Sequence, residues 1–141
     1  MRCAQTLRLL LLGALLALPV LAPGQDQPVS LQLNKLEPDG GSCRAYLVVE
    51  NGSDSAFESL QLDLVMFDGE GIVAKRLAVE TAPLPAGKTS VKVFGISGLA
   101  CGDIGRVLLN GVLACEDQGG ERDDCLRQLA TDSVAGVPFI E

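Results

Sequence analysis

Beyond residue 28, apolar and polar residues alternate with a period of two through most of the chain. Val29, Leu31 and Leu33 alternate with Ser30, Gln32 and Asn34, which predicts a half-buried strand, because successive side chains on a strand point to opposite faces. Cys43, Ala45, Leu47 and Val49 share one face of a second strand, with Tyr46 and Val48 opposite. Leu60, Leu62, Leu64 and Met66 line a third, with Gln61 and Asp63 on the other side. Residues 72–79 read as a fourth strand. Thr89, Val91 and Val93 alternate with Ser90 and Lys92 in a fifth, which places Val91 and Val93 in the core and Ser90 and Lys92 toward water. Residues 104–114 read as one bent strand with an irregularity at Asn110-Gly111.

The breaks between these runs carry turn chemistry. They are Pro38-Asp39-Gly40-Gly41-Ser42, Asn51-Gly52-Ser53-Asp54-Ser55, Asp68-Gly69-Glu70-Gly71 and the Pro-rich stretch 83–87. Asp-Gly between two strand-like runs is a hairpin signal, since both residues tolerate the positive φ of tight turns. Toward the C-terminus the period changes. Early acids and then Leu126 and Leu129, three apart, predict a two-turn helix over 121–129. Residues 134–140 read as a last strand, and Pro138 puts it at an edge. The expected fold is all-β: an immunoglobulin-like β-sandwich with a short C-terminal helix, a small barrel being the alternative.

The first residues call for a different reading. Arg2 and Arg8 precede an unbroken apolar run over 9–21, and Val20 and Ala22 supply small residues at −3 and −1 of a cleavage site. The run is shorter than the roughly 20 residues that span a bilayer. Residues 1–22 are expected to be a signal peptide cut after Ala22, with a cut after Gly24 as the alternative. A polar lead-in over 23–28, expected to be disordered, then precedes the sandwich over 29–141. Arg2 and Arg8 are not adjacent, so there is no twin-arginine motif.

Cleavage leaves nine Lys/Arg against eighteen Asp/Glu, a net charge of −9. Such a chain is repelled by nucleic acid and by anionic lipid, so neither is expected as a partner. Four cysteines remain: Cys43, Cys101, Cys115 and Cys125. An even count in an oxidising compartment reads as two disulfides. Cys115 and Cys125 bracket a short polar connection. Cys43 and Cys101 stand at strand margins, where a bridge between layers is natural. The expected pairing is therefore Cys43–Cys101 with Cys115–Cys125. No C-x-x-C is present, and ten residues of separation are wide for a redox or metal pair.

Three segments carry a resemblance. They are Tyr46-Leu47-Val48-Val49-Glu50-Asn51, then Leu60 through Gly69, then Pro85-Ala86-Gly87-Lys88-Thr89. Together they resemble a bacterial immunoglobulin-like module in which an Asn ends one strand, an Asp-Gly turn closes a hairpin and a Pro-x-Gly turn precedes the next strand. With Gly98 through Gly105 and the later cysteine pair, the chain after residue 22 resembles small uncharacterised exported proteins of alphaproteobacteria, often labelled twin-arginine signal domain proteins. The resemblance implies a periplasmic sandwich and carries over no catalytic residue.

Candidate chemistry is sparse. With no His in the chain, His-based acid–base catalysis, Ser-His-Asp and Cys-His nucleophiles and imidazole zinc sites are excluded. Asp68 and Glu70 read as turn residues, because strand residues resume at Ile72, too soon for a calcium loop. Asp117, Glu121, Asp123 and Asp124 read as solvated loop and helix-start charges. Asn51-Gly52-Ser53 matches a glycosylation acceptor and reads here as a turn. No residue is assigned a catalytic, cofactor-binding or metal role. The expectation is a periplasmic or secreted, non-catalytic binding or accessory module that presents an edge strand or loop to another envelope protein. The alternative is a small secreted hydrolase or thiol-redox factor using loop carboxylates or the Cys115/Cys125 pair.

Overall fold

The computed structural model of the chain describes residues 28–141. The expected signal peptide, its cleavage point and the lead-in through residue 27 lie outside the described residues. Nine strands follow: β1 (Val29–Asp39), β2 (Ser42–Asn51), β3 (Phe57–Phe67), β4 (Val73–Glu80), β5 (Thr89–Ile96), β6 (Arg106–Asp117), β7 (Gly120–Glu121), β8 (Leu129–Ser133) and β9 (Phe139–Ile140). One sheet has the order β5-β2-β1-β8 and the other β4-β3-β6-β7, with β9 parallel to β6. The inward faces of the two sheets share one core, as in a β-sandwich. Val29, Leu31, Ala45, Leu47 and Val49 come from the first sheet, and Leu60, Leu62, Leu64, Met66 and Leu109 from the second.

The period-two pattern sets the register wherever one apolar parity dominates. Cys43, Ala45, Leu47 and Val49 are all buried along β2, and Leu60, Leu62, Leu64 and Met66 along β3. The Asp68–Gly71 hairpin also forms, with the Asp68 Oδ1 accepting the N–H groups of Glu70 and Ile72, both at 2.9 Å.

β6 is a single bent strand, and two bulges bend it. Leu64 pairs with Leu109, Leu62 with Val112 and Leu60 with Cys115, so Asn110 and Leu113 are extra residues on β6. The bulges change the inward spacing from two to three. Leu109, Val112 and Cys115 therefore keep facing the core, while Leu113 is pushed out to 52% exposure.

Three expectations are corrected. Val91 and Val93 are not core residues: they are 59% and 53% exposed. β5 holds two apolar pairs of opposite parity, and the bulkier Phe94 and Ile96 take the inward face, bringing Ser90 and Lys92 in with them. The helix over 121–129 is replaced by one 3-10 turn, Cys125–Gln128. Its nucleus would be costly for so short a segment. Leu129–Ser133 instead pair in parallel with Val29–Leu33 of β1. The last strand shrinks to Phe139–Ile140, because Pro138 has no N–H to give; its carbonyl accepts the Val107 N–H at 2.8 Å.

Candidate functional site

Two disulfides fasten the sandwich, Cys43–Cys101 over 58 residues and Cys115–Cys125 over 10. Such bonds belong to an oxidising, extracytoplasmic environment. Cys115 and Cys125 are only 6% and 2% exposed, which keeps an attacking thiolate from their sulfurs. Among the described residues no helix is long and apolar enough to cross a membrane.

Of the C-terminal carboxylates singled out in the sequence, Asp117 and Asp124 are engaged with the fold and Glu121 and Asp123 are exposed. Arg122 donates to the Asp117 carboxylate at 3.1 Å and to both Asp124 oxygens at 3.0 Å, while Asp123 is exposed. The hydrogen bond from Arg122 holds the Asp124 carboxyl below its usual range. Glu116 and Glu121 face each other across β6 and β7 and line a hollow of about 240 Å³, both exposed. A second hollow of about 340 Å³, lined by Cys125 and Leu126 among others, shares Leu113, Ala114, Cys115 and Arg122 with the first. Asn51 is fully buried, and its amide is spent on the carbonyls of Ser55, Leu84 and Pro85, so it is no accessible glycan acceptor.

The pattern of the chain did not reveal the ion pair on the outer face of the second sheet. Asp63 is 3% exposed and accepts two bonds from Arg76, both at 2.7 Å, and one from the bulge residue Asn110 at 2.6 Å. These donors, Arg76 first, hold the Asp63 carboxyl below its ordinary value against the opposing effect of burial. The signal for it was a lone acid inside the apolar run 60–67; its partners lie on other strands.

β5 has a free edge: among the described residues β2 is its one sheet neighbour. The Asn51 N–H donates to the Lys88 carbonyl at 2.9 Å. By antiparallel alternation, Lys88, Ser90, Lys92, Phe94 and Ile96 then turn their backbone groups toward β2, and Thr89, Val91, Val93 and Gly95 turn theirs away. Four N–H and four C=O groups thus face outward along an edge without proline.

Side chains on the outer face continue the same edge. Val91 aligns with Val48 on β2 and Val93 with Tyr46. Tyr46 is pinned from the β1 side: its hydroxyl donates to Glu37 Oε2 at 2.7 Å, and the Lys35 ammonium lies 5.2 Å from the ring centroid. The apolar corner is therefore Val91, Val93, Val48 and the Tyr46 ring, bordered by charge. The other outer strand on this side of the sandwich, β4, turns the backbone groups of Arg76, Ala78 and Glu80 to its free side by the same alternation from the Thr81 N–H to the Leu60 carbonyl, while the Arg76 and Glu80 side chains bond back onto β3.

Comparison with known proteins adds to the fold. No protein-family model matches the chain, and no curated protein does. The structure is similar to that of IrmA from Escherichia coli, with a TM-score of 0.55 and 15% sequence identity over 73% of this chain and 89% of that one. A likeness at this identity bears on the fold alone.

Proposed function

We propose that this protein is an exported, non-catalytic binding or accessory module of the cell envelope, periplasmic or secreted, which engages an envelope protein through the free edge of β5. The observation that carries the proposal is the coincidence of an unpaired strand edge with exposed Val91 and Val93. Exposed apolar β edges invite strand pairing, and folded proteins ordinarily blunt them. Connectivity supports an immunoglobulin-like type. Hairpins β1–β2 and β3–β4 lie in opposite sheets; β5 then returns to β2 and β6 to β3. The disulfides and the signal-like start support export. The engagement of Asp63, Asp117 and Asp124 by arginines supports a role without acid–base chemistry. The test uses the exported chain as bait in envelope extracts, beside a Val91→Pro variant. Proline there deletes an outward N–H and leaves the β2 ladder intact. A partner held by the wild-type bait and lost by the folded variant is the expected result. Partners held equally by both baits would overturn the proposal.

A further inference from the structure

The edge of β5 has a chemical preference that its apolar side chains alone do not explain. Between Glu80 and Asp103 the chain carries no carboxylate, yet it carries Lys88 and Lys92. The opposite side of the sandwich, residues 116–132, holds six carboxylates against two arginines. β5 and its flanking turns thus bring two cations and no carboxylate of their own to a strongly acidic molecule; the nearest acid across the sheet, Glu50 of β2, aligns with Thr89 on the outer face, opposite in parity to the two lysines. Among the described residues neither lysine enters an ion pair; Lys92 Nζ rests on the Pro83 carbonyl at 3.3 Å.

We infer that β5 receives an extended acidic strand of a different protein, with apolar side chains on one face and carboxylates on the other. The inference rests on the reading that β5 is the docking edge. A strand added there continues the sheet, so its side chains fall into the rows already set by β2 and β5. Those aligned with Val91 and Val93 meet an apolar outer surface. Those aligned with Ser90 and Lys92 meet the ammonium of Lys92 on the inner side. Over Thr89–Val93, alternating apolar and acidic residues satisfy both rows at once; beyond it the inward row is Phe94 and Ile96, which take apolar neighbours. A second copy of β5 does not: antiparallel self-pairing about Val91–Val93 brings two Lys92 side chains together, and like charges across strands are destabilising. Edge lysines thus oppose homotypic pairing while favouring an acidic guest.

The test titrates the full exported chain into fluorescein-labelled peptides as long as β5, read by fluorescence anisotropy. One peptide alternates Val and Glu over the half that aligns with Thr89–Val93 and is apolar beyond it, a second has Lys in place of each Glu, and a third repeats the first with N-methylated amides on one edge. The Val/Glu peptide is expected to bind roughly tenfold or more tightly than the Val/Lys peptide, as two charge pairs change from attractive to repulsive. N-methylation is expected to abolish binding, Lys92→Glu to remove most of the preference, and Lys88→Glu combined with Lys92→Glu to reverse it. If Lys92→Glu fails to fold, Lys88→Glu on the exposed turn carries the same loss of preference. The inference is overturned by equal binding of the two charge patterns, by no binding of Val/Glu, or by binding indifferent to N-methylation. It is also overturned if the chain self-associates in a way that Val91→Pro abolishes, since the guest is then a second copy. Envelope capture that depends on β5 without an acidic preference defeats this inference alone. Capture independent of β5 defeats the edge reading as well.

Discussion

Replacing Asn51 by Ala is expected to cost about 3 kcal/mol, far more than loss of an ordinary strand-end residue. Asn51 is fully buried at the end of β2. Its Nδ2 donates to the carbonyls of Ser55 at 2.9 Å, Leu84 at 3.1 Å and Pro85 at 3.2 Å. Its Oδ1 accepts the backbone N–H and the hydroxyl of Ser53, at 3.1 and 2.7 Å. One side chain therefore ties β2 to the turn after it and to the crossing that leads into β5. Each bond contributes a net of about 0.5–1.5 kcal/mol, and carbonyls left buried without a donor cost more. Urea denaturation of the two proteins gives the difference directly. Asn51→Asp separates this hydrogen-bond account from one of mere volume. A carboxylate of nearly the same shape would face three carbonyl oxygens, so its folded pKa is raised. Stability of Asn51→Asp should then rise as pH falls from about 7 to about 5, because the folded state holds the extra proton. A loss under about 0.5 kcal/mol for Asn51→Ala, the range of ordinary surface changes, would refute the reasoning. So would an Asn51→Asp variant as stable as wild type at neutral pH.

Leu64→Ala should cost about 2–5 kcal/mol, whereas Val91→Ala should stay within about 0.5, and equal losses in denaturation would contradict the β5 register. Non-reducing peptide mapping should recover Cys43 linked to Cys101 and Cys115 to Cys125. Reduction should lower stability by about 4 kcal/mol for the long loop and about 3 for the short one, and a Cys101–Cys115 link would contradict the assignment. Asp63→Asn should lose about 1–2 kcal/mol at neutral pH. The native Asp63 carboxyl sits below its ordinary 3.8, so its stabilising effect holds above that value and fades as pH falls through the lower folded one. The gap between wild type and Asp63→Asn should therefore narrow below about pH 4, and a gap unchanged down to about pH 2 would contradict the ion pair. N-terminal sequencing of protein from an envelope fraction should begin at Pro23 or within a few residues of it, and Met1 would contradict export.

The strands most legible in the chain are those with a single apolar parity. β2 and β3 each offer one alternating set, and their inward faces follow from it. β5 offers two, Val91/Val93 and Phe94/Ile96, and only packing against the opposite sheet decides between them. For that reason the alternation alone points Val91 and Val93 of the candidate edge into the core. Edge position itself depends on which strands become neighbours, and a one-dimensional pattern does not carry that. The same holds for the Asp63 ion pair, whose partners Arg76 and Asn110 lie 13 and 47 residues away. At the C-terminus, Leu126 and Leu129 share helical spacing, but the open side of β1 offers backbone partners that a two-turn helix cannot match. Leu129 is buried at 1% while Leu126 is 41% exposed.

Residue-resolved amide hydrogen exchange along β5 tests the edge reading most directly. In the free protein the amides of Ser90, Lys92, Phe94 and Ile96 should be protected by β2, while those of Thr89, Val91, Val93 and Gly95 exchange rapidly. With the captured envelope partner bound, those four should become protected and the alternation should disappear. Four amides already protected in the free chain, or still exchanging rapidly in the complex, would contradict a role for this edge in binding.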